Sequence, residues 1–225
     1  MAIKDWHQDE RPREKLLQKG AESLSDSEIL AIFLRTGTKD QSAIELARGL
    51  IEKFGSLAQL LSAPSEAVMA CHGIGMAKYA QILASLEMGK RYLASQVKQA
   101  PTLNASQLVK DYLTTQLRPL NREVFAVLFL TNQLTLIQYE VLFTGGISSC
   151  SVCVREVLRC ALKYGASQLI IAHNHPSNSA TASQADLEIT RSLAKACQLV
   201  DMTLIDHIIV GQDGTLSLQE TGKMP

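Results

Sequence analysis

Apolar positions change their period near the middle of this chain. From residue 25 onward they recur at the three- and four-residue spacing of an amphipathic helix, as in Ile29, Leu30, Ile32, Phe33 and Leu34. Ser25, followed three residues later by Glu28, is a capping-box start for that segment, and Gly37 ends it. A second helix is expected over about 41–53, stopping at Phe54-Gly55. Shorter helices follow through Ala70, then a long one over 76–95. The stretch 96–104 has weak periodicity and carries Pro101, which predicts a connector.

Beyond a helix at about 105–117 the pattern becomes that of strands. Val124–Leu130 is a continuous apolar run, Thr131-Asn132-Gln133 turns the chain, and 134–143 has the β-branched and aromatic character to pair back as a hairpin. A helix at 150–164, a buried strand at 167–172, a helix at 183–199 and strands at 203–210 and 215–218 complete the series. The expected organisation is an all-α domain at 1–95, a connector at 96–104, and an α/β domain at 105–225 whose mixed sheet is flanked by helices.

Composition narrows the class. Hydrophobic residues make up 46% of the 225, enough for packed cores, and no apolar run reaches the length of a membrane span. The charged start of the chain does not read as a secretion signal, so a cytoplasmic location and no membrane partner are expected. Five cysteines, an odd number, fit reduced thiols. Cys150-x-x-Cys153 has no second CxxC pair, and Cys153, Val157, Cys160 and Tyr164 fall on one helical stripe, so core packing is the better reading. Net charge is zero and neither half is strongly basic, which argues against strong nucleic-acid binding.

The chemistry concentrates at His173-Asn174-His175-Pro176. On a strand, residues two apart share a face, so His173 and His175 project together as preorganised ligands for a borderline-soft divalent ion. Pro176 stops the strand and Ser183 stands where a helix should begin, which puts Asp186 in that helix's first turn as the third ligand. A fourth tetrahedral position is then left for water. Ser183-x-x-Asp186 is equally a capping box, and taken alone the capping reading is the stronger. Two histidines at period two, a proline stop and a Ser/Asp helix start rarely coincide for structural reasons alone.

The full pattern, His173-x-His175-Pro176-x6-Ser183-x2-Asp186, resembles the JAMM signature of MPN-type metallopeptidases. In its wider context the chain is similar to the bacterial RadC, or UPF0758, family, through 173–178 (HNHPSN), Val154–Arg159 (VREVLR) and Asp206–Val210 (DHIIV). Asn178 stands for the usual Gly, and Ala182 for the usual Pro; neither replaces a ligand. The resemblance implies an MPN fold with a cytidine-deaminase-like mixed sheet, one Zn2+ per chain, and a peptide or protein substrate cleaved at an amide or isopeptide bond. It assigns Glu123, just before the first strand, as general base, and Ser183 as donor to the oxyanion. Asp206 and His207 alternate along a strand, so one of them can face the site. Asp206 is the candidate to orient a liganding imidazole, with His207 read as structural.

A second motif, Gly73-Ile74-Gly75-Met76-Ala77-Lys78, opens the long helix and resembles a helix-hairpin-helix. Gly73, Gly75 and Lys78 are its candidate phosphate contacts. A Gly-rich connection that only packs the helices has about even standing. Two function classes therefore stay open: a zinc-dependent hydrolase, or a DNA-associated factor, nuclease or binding protein, with weak and sequence-independent DNA affinity.

Overall fold

The computed structural model describes residues 7–99, 106–145, 152–176 and 179–225, and the chain divides into two compact units, 1–89 and 90–225. In the first unit the helices are α1 (Pro12–Lys19), α2 (Asp26–Leu34), α3 (Ala43–Phe54), α4 (Leu57–Ser62), α5 (Ser65–Met69) and the first part of α6 (Met76–Gln99). Capping boxes start two of them. Ser25 with Glu28 caps α2 and Ser42 with Glu45 caps α3, each pair satisfying two backbone N–H groups that the first turn leaves free. Leu30, Leu34, Ile44, Ala47, Leu50, Val68, Ile74 and Ile82 form the core beneath them.

The helix α6 runs on to Gln99, past the expected start of the connector. Its last turns carry Leu93, Ala94 and Val97 at helical spacing, and these find apolar partners in the second unit's core. Residues 100–105 lie outside the described residues.

The second unit continues with α7 (Ser106–Leu117), β1 (Val124–Leu130), β2 (Leu136–Thr144), α8 (Val154–Tyr164), β3 (Gln168–Asn174), α9 (Gln184–Gln198), β4 (Thr203–Val210) and β5 (Thr215–Ser217). The five strands form one mixed sheet in the order β2-β1-β3-β4-β5. β1 is antiparallel to both neighbours, β3 and β4 are parallel, and β5 returns antiparallel to β4. The parallel pair is joined across α9, as a parallel connection requires.

All seven residues of β1 are buried because both faces of the sheet are covered. Val124, Ala126, Leu128 and Leu130 face Val109, Leu113 and Leu117 of α7, while Phe125, Val127 and Phe129 face Val157 and Cys160 of α8 and Leu193 and Cys197 of α9. β3 alternates in the same way, with Ile170 and Ala172 toward α7, and Leu169 and Ile171 toward α8 and α9. This is the mixed α/β fold and helical amino-terminal region expected from the pattern.

The helix α8 starts later than expected. Cys153 is its N-cap and is exposed, so the buried stripe begins at Val157; Cys150 lies outside the described residues. Among the described residues, no helix is long and apolar enough to cross a membrane.

Leu128 is completely buried at the middle of the central strand. Leu128→Ala removes that packing and leaves a cavity, so it should lower unfolding free energy by about 3 kcal/mol, read from urea denaturation of the full chain. A loss under about 1 kcal/mol would mean that this face of the sheet is not closed as described.

Candidate metal centre

The site is built where β3 ends. His173 lies opposite Phe125 of β1 and Ile209 of β4, with its ring completely buried on the α8 and α9 side of the sheet. His175 follows just past the strand. Its backbone N–H donates to the Val210 carbonyl at 2.8 Å, which keeps the chain alongside β4 for one more residue before Pro176. The two Nε2 atoms come to 2.9 Å of each other.

The start of α9 closes the site from the other side. Ser183 is the N-cap and forms a capping box with Asp186. The two carboxylate oxygens of Asp186 divide the work. Oδ2 accepts from the Ser183 backbone N–H and hydroxyl, both at 2.7 Å, while Oδ1 lies 3.2 Å from His173 Nε2. Capping and a place in the site are therefore compatible, and the choice between them that the sequence posed does not arise.

Glu123 joins from the residue before β1. One ligand atom each of Glu123, His173 and His175 lie within 4.8 Å of one another. The placement of Glu123 depends on Asn174, the residue between the two histidines. Strand alternation turns Asn174 to the opposite face, where its Oδ1 accepts from Val124 N–H at 2.8 Å and its Nδ2 donates to the carbonyls of Leu120 at 3.2 Å and Arg122 at 3.1 Å. A further bond from Gly145 N–H to the Glu123 carbonyl, 2.9 Å, holds the same stretch. Sequence reading passed over Asn174. A polar residue between two candidate ligands, predicted to point into an apolar core, was the available signal.

The donor set fits a divalent cation. His175 Nδ1 faces the Ser179 carbonyl at 3.3 Å, a group that only accepts, so in the neutral ring the lone pair sits on Nε2. Burial lowers the His173 pKa below its usual value, against the pull of the Asp186 carboxylate and together with repulsion from His175. Among the described residues, the groups close enough to share one ion are Glu123, His173 and His175, whereas Asp186, the expected third ligand, meets this group through His173 Nε2. Two imidazoles with carboxylate oxygen make a set suited to a borderline-soft metal.

His207, and not Asp206, takes the place beside the His173 imidazole. Leu169 lies opposite Leu204, but Ile170 lies opposite Asp206, a shift of one residue in β4. That extra residue exchanges the faces of everything after it. Asp206 is turned to the α7 side, where Ser217 Oγ, Gln219 N–H and His207 N–H bind its carboxylate at 2.6, 2.9 and 2.7 Å. His207 is turned to the site, with Nε2 at 2.8 Å from His173 Nδ1 and Nδ1 at 2.7 Å from Thr190 Oγ1. Burial lowers the His207 pKa well below its usual value, and the nearby His173 and His175 rings lower it further.

The hairpin residues of the first unit lie in a different arrangement. Gly73 has φ +84°, and a Cβ there would meet Thr38 Cγ2 at 2.4 Å, so the glycine permits close packing. Lys78 Nζ donates to the carbonyls of Thr36, Gly37 and Gly73 at 2.7, 3.3 and 3.0 Å, which spends its three protons within the unit. Gly75 has open space about its α-carbon. Of the two departures from the family pattern, Ala182 precedes the α9 cap, and Asn178 lies outside the described residues.

Comparison with known proteins matches residues 103–223 to a family described as a RadC-like JAB domain, and residues 3–80 to the UPF0758 N-terminal family. Similar curated proteins include a UPF0758 protein of Psychrobacter sp. (strain PRwf-1), 66% identical over 225 residues and the whole of both chains. Another, from Psychrobacter cryohalolentis, is 68% identical over all of this chain and 99% of its own. A third, from Aeromonas hydrophila, is 51% identical over 99% of each.

Asn174→Ala should lower stability by about 1–3 kcal/mol, because it leaves the buried Val124 N–H without its partner and takes the donor from two part-buried carbonyls. Chemical denaturation of the variant checks this. Unchanged stability would show that the amide does not hold the segment around Glu123.

Proposed function

The chain belongs to the UPF0758 family and carries its RadC-like JAB domain, and from that premise we propose that the domain is a zinc-dependent hydrolase of the JAMM type. The bond it cleaves is an amide or isopeptide bond in a peptide or protein. The observation that carries the reading is the cluster of Glu123, His173 and His175 at the end of β3, with the Asp186 carboxylate against His173. The JAB-domain match fits the same hydrolase-like chemistry.

His173, His175 and Asp186 would hold the ion. Bound there, zinc would polarise the scissile carbonyl and lower the pKa of a coordinated water toward neutrality. Glu123 is the base: its carboxylate takes the proton of the attacking water and delivers it to the leaving nitrogen. Asn174 keeps that carboxylate on the histidine side by fixing the backbone before and after it. The Ser183 hydroxyl has one proton, which it gives to Asp186 Oδ2. An oxygen developing negative charge nearby would compete for that proton, and α9 would keep its cap through the Ser183 backbone N–H to the same Oδ2. The DNA-associated reading has less to rest on, since Lys78 is engaged by its own unit's carbonyls.

Elemental analysis of the purified full chain should find about one zinc per chain. The double variant His173→Ala with His175→Ala should lose it, and retention would move the metal elsewhere, with the cysteines next in line.

Glu123→Gln should keep the zinc while cutting hydrolysis of a peptide and isopeptide library, followed by mass spectrometry, by about 100-fold or more. Zinc lost in that variant would make Glu123 a ligand, and unchanged hydrolysis would remove it from the reaction.

A further inference from the structure

Behind His173 a run of hydrogen bonds leads back to the backbone of α9, and each proton on it can be placed from the chemistry of its partner. Thr190 Oγ1 lies 2.5 Å from the Asp186 carbonyl oxygen. A carbonyl cannot donate, so the single hydroxyl proton of Thr190 points there. The same oxygen lies 2.7 Å from His207 Nδ1 and must accept from it, which places a proton on that nitrogen. His207 is completely buried, and among the described residues its ring nitrogens meet Thr190 and His173, neither a carboxylate; a cationic ring there would be buried without a counter-charge, so the ring is neutral. Its Nε2 therefore carries the lone pair, and accepts from His173 Nδ1 at 2.8 Å. His173 has its proton on Nδ1, and its Nε2 lone pair points at His175 Nε2 and Asp186 Oδ1.

The run begins on the Asp186 carbonyl and ends beside the Asp186 carboxylate. Thr190 stands one helical turn after Asp186, so α9 supplies both the acid of the site and the anchor that orients the imidazole facing it. His207 reaches the run because of the one-residue shift in β4.

We propose that Thr190 and His207 are positioning residues that lock His173 in the Nδ1–H tautomer and so present its Nε2 lone pair to a divalent cation. This rests on the metal-centre reading above and extends it to two residues that touch neither metal nor substrate. A ring free to exchange tautomers would carry a proton on Nε2 for part of the time, and a protonated nitrogen cannot ligate. The lock removes that competing state.

Two measurements test it. In the metal-free full-length protein, long-range 1H–15N correlation spectra of the imidazoles should give the Nδ1–H pattern for both His173 and His207. An Nε2–H pattern for His173 overturns the lock whatever the metal results are. Thr190→Val is nearly isosteric but removes the acceptor, and should weaken zinc binding by about 10–100-fold in chelator competition. Thr190→Ser keeps the hydroxyl and should restore binding to within a few-fold. Wild-type affinity in a folded Thr190→Val variant overturns the positioning role. Should that variant not fold, the wild-type spectra still decide the tautomer. Should the wild-type chain bind no zinc while both rings show Nδ1–H, the metal reading fails and the lock stands.

Discussion

Side chains on a strand must alternate between faces, and at the end of β3 that constraint sorts neighbouring residues into different tasks. His173 turns toward α8 and α9 and enters the site. Asn174 turns toward α7 and binds the backbone on both sides of Glu123. His173 and the residue that fixes the backbone about Glu123 are therefore adjacent in sequence and turned to opposite faces of the sheet. Asn174 is satisfied by three hydrogen bonds, and His173 hydrogen-bonds His207 through Nδ1, which leaves its Nε2 to the site.

Strand alternation is also why the site needs the irregularity in β4. Parallel pairing with β3 fixes which residues of β4 share its faces, and a single extra residue after Leu204 reverses the assignment for the rest of the strand. Asp206 moves to the α7 side, where two backbone N–H groups and a hydroxyl hold its carboxylate. A neutral imidazole moves to the site side in its place. A carboxylate there would have added a negative charge to a pocket that already holds Asp186 and Glu123. His207 can pass on a hydrogen bond without adding charge, which suits a buried position.

The first unit solves a smaller problem with similar means. The segment after α2 and the hairpin bring three carbonyl oxygens toward one point, and Lys78 satisfies them together. Gly73 is required by close approach to Thr38, whereas the open space at Gly75 imposes no such demand. Gly73 and Lys78 therefore have a packing explanation, and Gly75 does not.

The sequence by itself determined the elements and much of the constellation. Periodicity located β1 at Val124–Leu130, the capping residue Ser183 located the start of α9, and the two-residue spacing of the histidines on a strand brought them to one side. These are local properties, set by neighbours a few residues away. Resemblance to a known family, and not any local rule, singled out Glu123, because no spacing in the chain relates it to residues fifty positions later. Tertiary structure decided what depends on pairing between distant strands. The register of β3 with β4 chose His207 over Asp206, and the packing of β3 beside β1 gave Asn174 its partners. A one-residue shift in pairing leaves no mark on hydrophobic periodicity when residues on both faces are buried, so only the assembled sheet fixes which side chain meets His173.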